Sequence, residues 1–187
     1  MNKCIAVFLM ITMLAVLPLT GCGTIYKAAM DERSVGQQTA DATISGTIMK
    51  RYLDDDEVSV MGIEPYTFMG QVFLVGEYET AAQKSKAIAI AESVEGVKGV
   101  TTYLLPKKED PTCETSDNLG ILASVKKELI ADGDIWSTNV EVKVVQCQVV
   151  LLGLVGSQTQ VDKSIAHAKA VEDVRGVKSY LRVSNKP

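Results

Sequence analysis

The spacing of apolar residues changes along the chain, and each change marks an element. Ile5 to Leu17 is an almost unbroken apolar run, long enough for a secretory signal and too short to cross a bilayer as a helix. Ile44, Ile48 and Tyr52 recur every four residues, which predicts one apolar helical stripe, closed in water by Asp54-Asp55-Asp56-Glu57. Ile121 or Leu122, Val125 and Leu129 repeat the stripe further on. Val140-Glu141-Val142-Lys143-Val144 alternates and predicts a half-buried strand whose valines share a face. Gln148 to Leu152 is continuously apolar after its first residue, as in a strand inside a sheet. The two form a hairpin.

The same order occurs twice. Gln71-Val72-Phe73-Leu74-Val75-Gly76 is matched by Gln148-Val149-Val150-Leu151-Leu152-Gly153, displaced by 77 positions, with Glu64 and Glu141 in step. Val94-Glu95-Gly96-Val97-Lys98 is matched by Val174-Arg175-Gly176-Val177-Lys178, displaced by 80. The difference places a three-residue insertion in the second copy, expected between its second strand and its helix. Each copy then reads helix, two strands, helix, strand.

Met69-Gly70 is the expected reversal of the first hairpin, since Gly accepts the positive φ of tight two-residue turns. Gln146-Cys147 stands there in the second copy, which predicts another turn type or a longer turn, with Cys147 exposed at its tip. The next helices are expected to start near Thr80 and Thr159, the latter through an approximate capping box, Thr159-x-x-Asp162. Val161, Ile165 and Ala168 supply the packing face of the last helix. Gly96 and Gly176 are expected left-handed C-caps before strands Val100 to Leu104 and Val177 to Val183. Pro106 to Thr112 is polar, carries two prolines and reads as a linker. The predicted segments are a signal at 1–21, a tether at 22–38, modules at 39–105 and 117–184, and a linker at 106–116. Modules this small bury only a marginal core, so packing against each other is expected to stabilise both.

Targeting and cysteine usage change the picture more than composition does. Lys3 is the only charge ahead of the apolar run, and Leu19-Thr20-Gly21-Cys22 after it resembles a bacterial lipobox. Cys22 is thus the expected lipidation site, carrying diacylglycerol and an N-acyl chain; the alternative is a plain secretory signal with Cys22 unmodified. Two or more acyl chains hold a protein on a membrane. By resemblance to the sorting rule of enterobacterial lipoproteins, Gly23 implies transfer to the outer membrane, on its periplasmic face. Cys4 leaves with the signal, so Cys113 and Cys147 remain in an oxidising compartment, either paired as a disulfide or as two free thiols. The net charge is −4, which argues against general nucleic-acid binding.

Gly70 to Gly76, a helix, and then Val94-Glu95-Gly96-Val97-Lys98-Gly99-Val100 resemble the BON domain. Two such copies behind a lipobox resemble the dual-BON periplasmic lipoproteins, and Asp31-Glu32-Arg33-Ser34-Val35-Gly36 strengthens the likeness to the outer-membrane members concerned with envelope integrity. The resemblance implies an α+β fold of two tandem αββαβ sandwiches, each a three-stranded sheet covered by two helices. It also implies a non-enzymatic function and contact with anionic phospholipid through the first helix of the second module, Asn118 to Ile130.

On that helix Lys126 and Lys127 stand beside Leu119, Ile121 and Leu122, and the sole tryptophan, Trp136, follows in a loop. These six are the candidate lipid-contact residues; the other reading makes the aliphatics core and the lysines a solvated face. The alternative function is a structural protein that docks an envelope or barrel-assembly partner without touching lipid. His167, the only histidine, is read as a surface or packing residue. No nucleophile elbow, P-loop or zinc spacing occurs, the acidic run lacks the spacing of a calcium loop, and no catalytic or metal site is expected.

Overall fold

In the computed structural model, the described residues are 31, 33–58, 62–108 and 113–184. The apolar leader, Cys22 and most of the expected tether lie outside them. Module 1 contains α1 (Val35–Leu53), β1 (Ile63–Phe68), β2 (Gln71–Tyr78), α2 (Ala81–Glu92) and β3 (Gly99–Pro106). Module 2 contains α3 (Thr115–Ala131), a 3₁₀ turn (Ser137–Asn139), β4 (Val140–Val145), β5 (Gln148–Val155), α4 (Gln158–Ala170) and β6 (Gly176–Val183). In each, an antiparallel hairpin is extended by a parallel strand reached through a helical crossover, giving orders β1-β2-β3 and β4-β5-β6. This is the α+β tandem sandwich that the resemblance to the BON domain implied, with the element order read from the repeat.

Each central strand is apolar and buried over its middle, residues 72–75 and 149–152, because both its faces are covered there. Val72 and Leu74 face α1 and α2 in a core with Ile44, Ile48, Tyr52 and Ala87. Val149 and Leu151 face α3 and α4 in a core with Val125, Leu129 and Val142. The alternate residues Phe73, Val75, Val150 and Leu152 meet between the sheets with Val145, flanked by Tyr66, Phe68, Tyr103 and Tyr180. The molecule is therefore layered helices, sheet, sheet, helices. The rings of Phe73 and Tyr180 lie 5.3 Å apart across the interface, where Lys143 Nζ also donates to Glu64 at 2.7 Å. Gln146 Nε2 donates to Glu77 Oε1 at 2.6 Å and to the carbonyl of Pro106 at 2.9 Å.

Glycine is required where β2 and β5 pass their hairpin partners. Gly76 and Gly153 have φ of 142° and 139°, and a Cβ at either would overlap the carbonyl oxygen of Gly62 or Asn139. That explains why Gly closes the apolar run in both copies.

The tether prediction overran the fold, because α1 begins at Val35 and is capped by Ser34, whose hydroxyl accepts from Gln37 N. The linker prediction likewise overran module 2, where Glu114 and Asp117 form a reciprocal capping box for α3. Ser157, not Thr159, caps α4, its hydroxyl accepting from Gln160 N. Thr80 and Ser157, Gln83 and Gln160, and Ala91 and Ala168 all stand 77 apart, so the insertion is not ahead of the helix. It falls after Ala168, in a turn whose left-handed residue is Asp173 at φ 65°. Gly176 is not a C-cap but the first residue of β6, and Gly96, left-handed at φ 87°, lies beyond the α2 C-cap Ser93.

The Gln146-Cys147 turn is neither longer nor of another kind. Val145 pairs with Gln148 directly, and both turn residues take positive φ, 51° and 59°. Cys147 is buried rather than exposed.

Candidate functional site

Two fasteners hold the start of each module against its first hairpin. In module 1 Asp41, on the first turns of α1, accepts from Met69 N and Gly70 N at 2.9 Å each. Asp41 also accepts from Arg33 Nη1 at 2.7 Å, and Arg33 donates to Asp31 and to the carbonyl of Thr67 while lying 5.1 Å over the Phe68 ring. In module 2 Asn118 replaces Asp41, and its Oδ1 accepts from Cys147 N at 2.9 Å. Cys113, the residue ahead of the α3 N-cap as Arg33 is ahead of the α1 N-cap, is joined to Cys147 by a disulfide with Cα atoms 5.9 Å apart. An ion pair in one copy is thus a covalent bond in the other. Asp117 comes near the two sulfurs, but a disulfide has no thiolate to offer a metal.

The six candidate lipid-contact residues separate on the structure. Ile121 is 4 % exposed and belongs to the core, so it is withdrawn from the edge, and Leu122 is half-buried against the same core. Leu119 is 61 % exposed, Lys126 and Lys127 are exposed, and Trp136 is 40 % exposed. The structure adds Ile130, 69 % exposed, the last residue of the helix expected from the sequence. At 100° per residue Leu119, Ala123, Lys126 and Ile130 fall within one stripe of α3 about 16 Å long. Trp136 extends it, since Lys126, Ile130 and Trp136 line one groove with Gly133 and Thr138. Three of the seven large apolar side chains exposed among the described residues lie on this edge, which singles it out over scattered surface leucines.

The loop bearing Trp136 is fixed by charge. Asp132 Oδ2 bonds His167 Nε2 at 2.9 Å and Lys163 Nζ at 3.2 Å, while Lys163 also reaches Asp134 at 2.6 Å. The bond from His167, with the Asp134 N–H and Lys163 behind it, holds the Asp132 carboxyl down to about 2. His167 therefore ties α4 to the end of α3. Between the modules, burial pushes the Glu64 carboxyl up, but the hydrogen bonds from Lys143 and Tyr66 outweigh it and leave the pKa lowered.

A model of the BON domain matches residues 40–105 and 117–185, and the chain belongs to the BON-domain family. It is 31 % identical over 150 residues to osmotically-inducible protein Y of Escherichia coli, covering 79 % of this chain and 75 % of the relative. It is 28 % identical over 158 residues to outer membrane lipoprotein DolP of Haemophilus influenzae, covering 84 % and 80 %. A 21 kDa hemolysin of Actinobacillus pleuropneumoniae is 26 % identical over 157 residues, covering 83 % and 79 %. Among the described residues no helix is long and apolar enough to cross a membrane.

Proposed function

We propose that the protein is a lipid-anchored binding module of the bacterial envelope, held through acylated Cys22 at the periplasmic face of the outer membrane. Its second module contacts anionic phospholipid through the edge formed by Leu119, Lys126, Lys127, Ile130 and Trp136, and it supports barrier integrity by binding rather than by catalysis. Relatives that include an outer membrane lipoprotein support the location, as does Leu19-Thr20-Gly21-Cys22 behind an apolar run. The carrying observation is the α3 edge, where exposed Leu119, Ile130 and Trp136 stand beside two exposed lysines. An apolar stripe with adjacent cations suits insertion at an anionic interface, with each lysine contributing about 1 kcal/mol.

The test is flotation of the lipid-free mature chain with vesicles of phosphatidylcholine alone or mixed with phosphatidylglycerol. The protein is expected to float with the anionic vesicles only and to be released at high salt. The Lys126→Ala/Lys127→Ala variant should bind about 30-fold more weakly, from roughly 2 kcal/mol of lost attraction. Absence of flotation, or flotation indifferent to lipid charge and to the variant, rejects the reading.

A further inference from the structure

The turn between β4 and β5 holds both ends of the connection that joins the modules. Gln146 Nε2 donates to the carbonyl of Pro106, the last residue of β3, at 2.9 Å, and to Glu77 Oε1 of β2 at 2.6 Å. Its neighbour Cys147 carries the disulfide to Cys113, the residue ahead of the α3 N-cap Glu114. Adjacent residues of one turn thus fix positions 106 and 113, the first by a hydrogen bond into module 1 and the second by a covalent bond. Gln146 is 8 % exposed, so its amide is withdrawn from water into the contact between the modules.

The backbone of this turn does not hold itself. Gln146 and Cys147 are both left-handed, at φ 51° and 59°, a conformation that residues with a side chain seldom take. Cys147 is kept there by its N–H on Asn118 Oδ1, by its carbonyl accepting from Arg175 N, and by the bond to Cys113. The matching turn of module 1 needs less, because Gly70 takes one of its two left-handed positions, and its first residue, Met69, is 46 % exposed. In module 2 the fastened turn also carries the contact to the other module.

We propose that the Cys113–Cys147 bond is a redox clasp on the docking of the two modules. Oxidised, it holds the turn in the shape that aims Gln146 at Glu77 and Pro106. Reduced, it lets the turn relax out of the left-handed region, and the two hydrogen bonds to module 1 are lost with it. The reaction is thiol–disulfide exchange with a dithiol reductant. A thiolate of the reductant attacks one cysteine sulfur, the S–S bond breaks, and the reductant's second thiol resolves the mixed disulfide. Two electrons and two protons pass to Cys113 and Cys147, and the reductant leaves as a disulfide. Both cysteines are buried, at 4 % and 3 % exposed, so exchange follows an opening of the fold around them. Such coupling is reciprocal: whatever the bond contributes to docking, docking returns to the bond. The sheets that pack Phe73 and Val75 on Val150 and Leu152 are thus held fully together only once the two thiols are oxidised.

Glu77→Ala tests that reciprocity from the far side, since Glu77 belongs to module 1 and meets the turn through Gln146. The lipid-free mature chain is equilibrated in glutathione buffers of graded ratio, two glutathiones serving in place of the dithiol, and its oxidised fraction is counted after thiol alkylation. The equilibrium constant for reduction is expected to be about tenfold larger in Glu77→Ala than in the parent, the worth of one charge-assisted hydrogen bond. Lys86→Ala, which loses ion pairs to Asp55 and Glu57 on the helical side of module 1, should leave it unchanged. In amide spectra of the isotopically labelled parent, reduction by a phosphine is expected to shift Phe73, Val75 and Glu77 of module 1 while Val125 and Leu129 keep their folded positions. If Glu77→Ala is reduced at the parent's equilibrium, or the module 1 amides stay put in a chain with two titratable thiols, the bond is a staple within module 2 and the proposal is overturned. Loss of the folded Val125 and Leu129 signals on reduction overturns it as well, since the bond would then hold the module and not its docking.

Discussion

Substituting Asp41 tests how the hairpin of module 1 is held. Its carboxylate is 2 % exposed and serves two backbone N–H groups, Gln37 Nε2 and the Arg33 guanidinium. Asp41→Ala leaves the amides of Met69 and Gly70 without their acceptor and strips Arg33 of one of its two carboxylates. Breaking a buried pair of this kind costs about 3–5 kcal/mol. Asp41→Asn should be much milder, about 1–2 kcal/mol, because an amide oxygen can still accept from the turn. Asn118 shows the geometry, accepting from Cys147 N at 2.9 Å at the matching position. Urea denaturation followed by circular dichroism gives both values, and at about 2–4 °C per kcal/mol the Ala variant should melt roughly 6–20 °C below the parent. Equal destabilisation by the two substitutions, or a cost below about 1 kcal/mol for Asp41→Ala, would refute the assignment of Asp41 as the turn's acceptor.

Removing the matching fastener in module 2 with Cys113→Ala/Cys147→Ala frees a loop of 34 residues, worth about 4 kcal/mol in the chain-entropy model, read from the denaturation midpoint without reductant. An unchanged midpoint would show that the bond constrains nothing. Phe73→Ala empties the space between the sheets where Phe73 is 4 % exposed; it should cost about 3–5 kcal/mol and split the calorimetric transition in two as the modules uncouple. A single transition at the parent's temperature would contradict that. Asp132 is held down to about 2 by His167, Asp134 N–H and Lys163. A lowered carboxyl stabilises the fold in full above its unfolded value near 3.8, and this is lost as pH falls through about 2. The stability difference between the parent and Asp132→Asn should therefore be constant above about pH 4 and vanish near pH 2; a difference independent of pH down to 2 would remove Asp132 from that role.

What was legible in the sequence is what depends on local period. The stripe Ile44, Ile48, Tyr52, the alternation of Val140 to Val144 and the repeat of the apolar strand runs each report a face against a core, and those faces are where the repeat placed them. The continuous run in β5 is explained by two cores, one under the helices and one between the sheets. That the second cover would be the other module's sheet was not legible, because an apolar strand face does not name its partner.

The Gln146-Cys147 turn was not legible for a related reason. Its positive φ values are unfavourable locally, and what holds them is Asn118 from 29 residues upstream together with a disulfide 34 residues across. The flanking motifs alone do not place the insertion, whereas Gln83 and Gln160 carry the displacement of 77 through the helix. Each of these glutamine side chains accepts from the amide four residues before it, Glu79 N and Gly156 N. Ile130 is missing from the edge expected from the sequence, although its spacing of eleven from Leu119, three turns of helix, is a readable signal. Ile121 and Leu119 differ by only two positions yet face opposite ways, which shows how a hydrophobic edge and a core stripe interleave on one helix.

Under the proposed function the α3 edge of module 2 is the surface that meets the membrane. Its most direct test is the amide spectrum of the isotopically labelled, lipid-free mature chain as phosphatidylglycerol micelles are added. Shifts and broadening are expected at Leu119, Ala123, Lys126, Lys127, Ile130 and Trp136, with β3, α2 and the core amides of α4 unmoved. Changes confined to module 1, or none on α3 at saturating micelle, would contradict it.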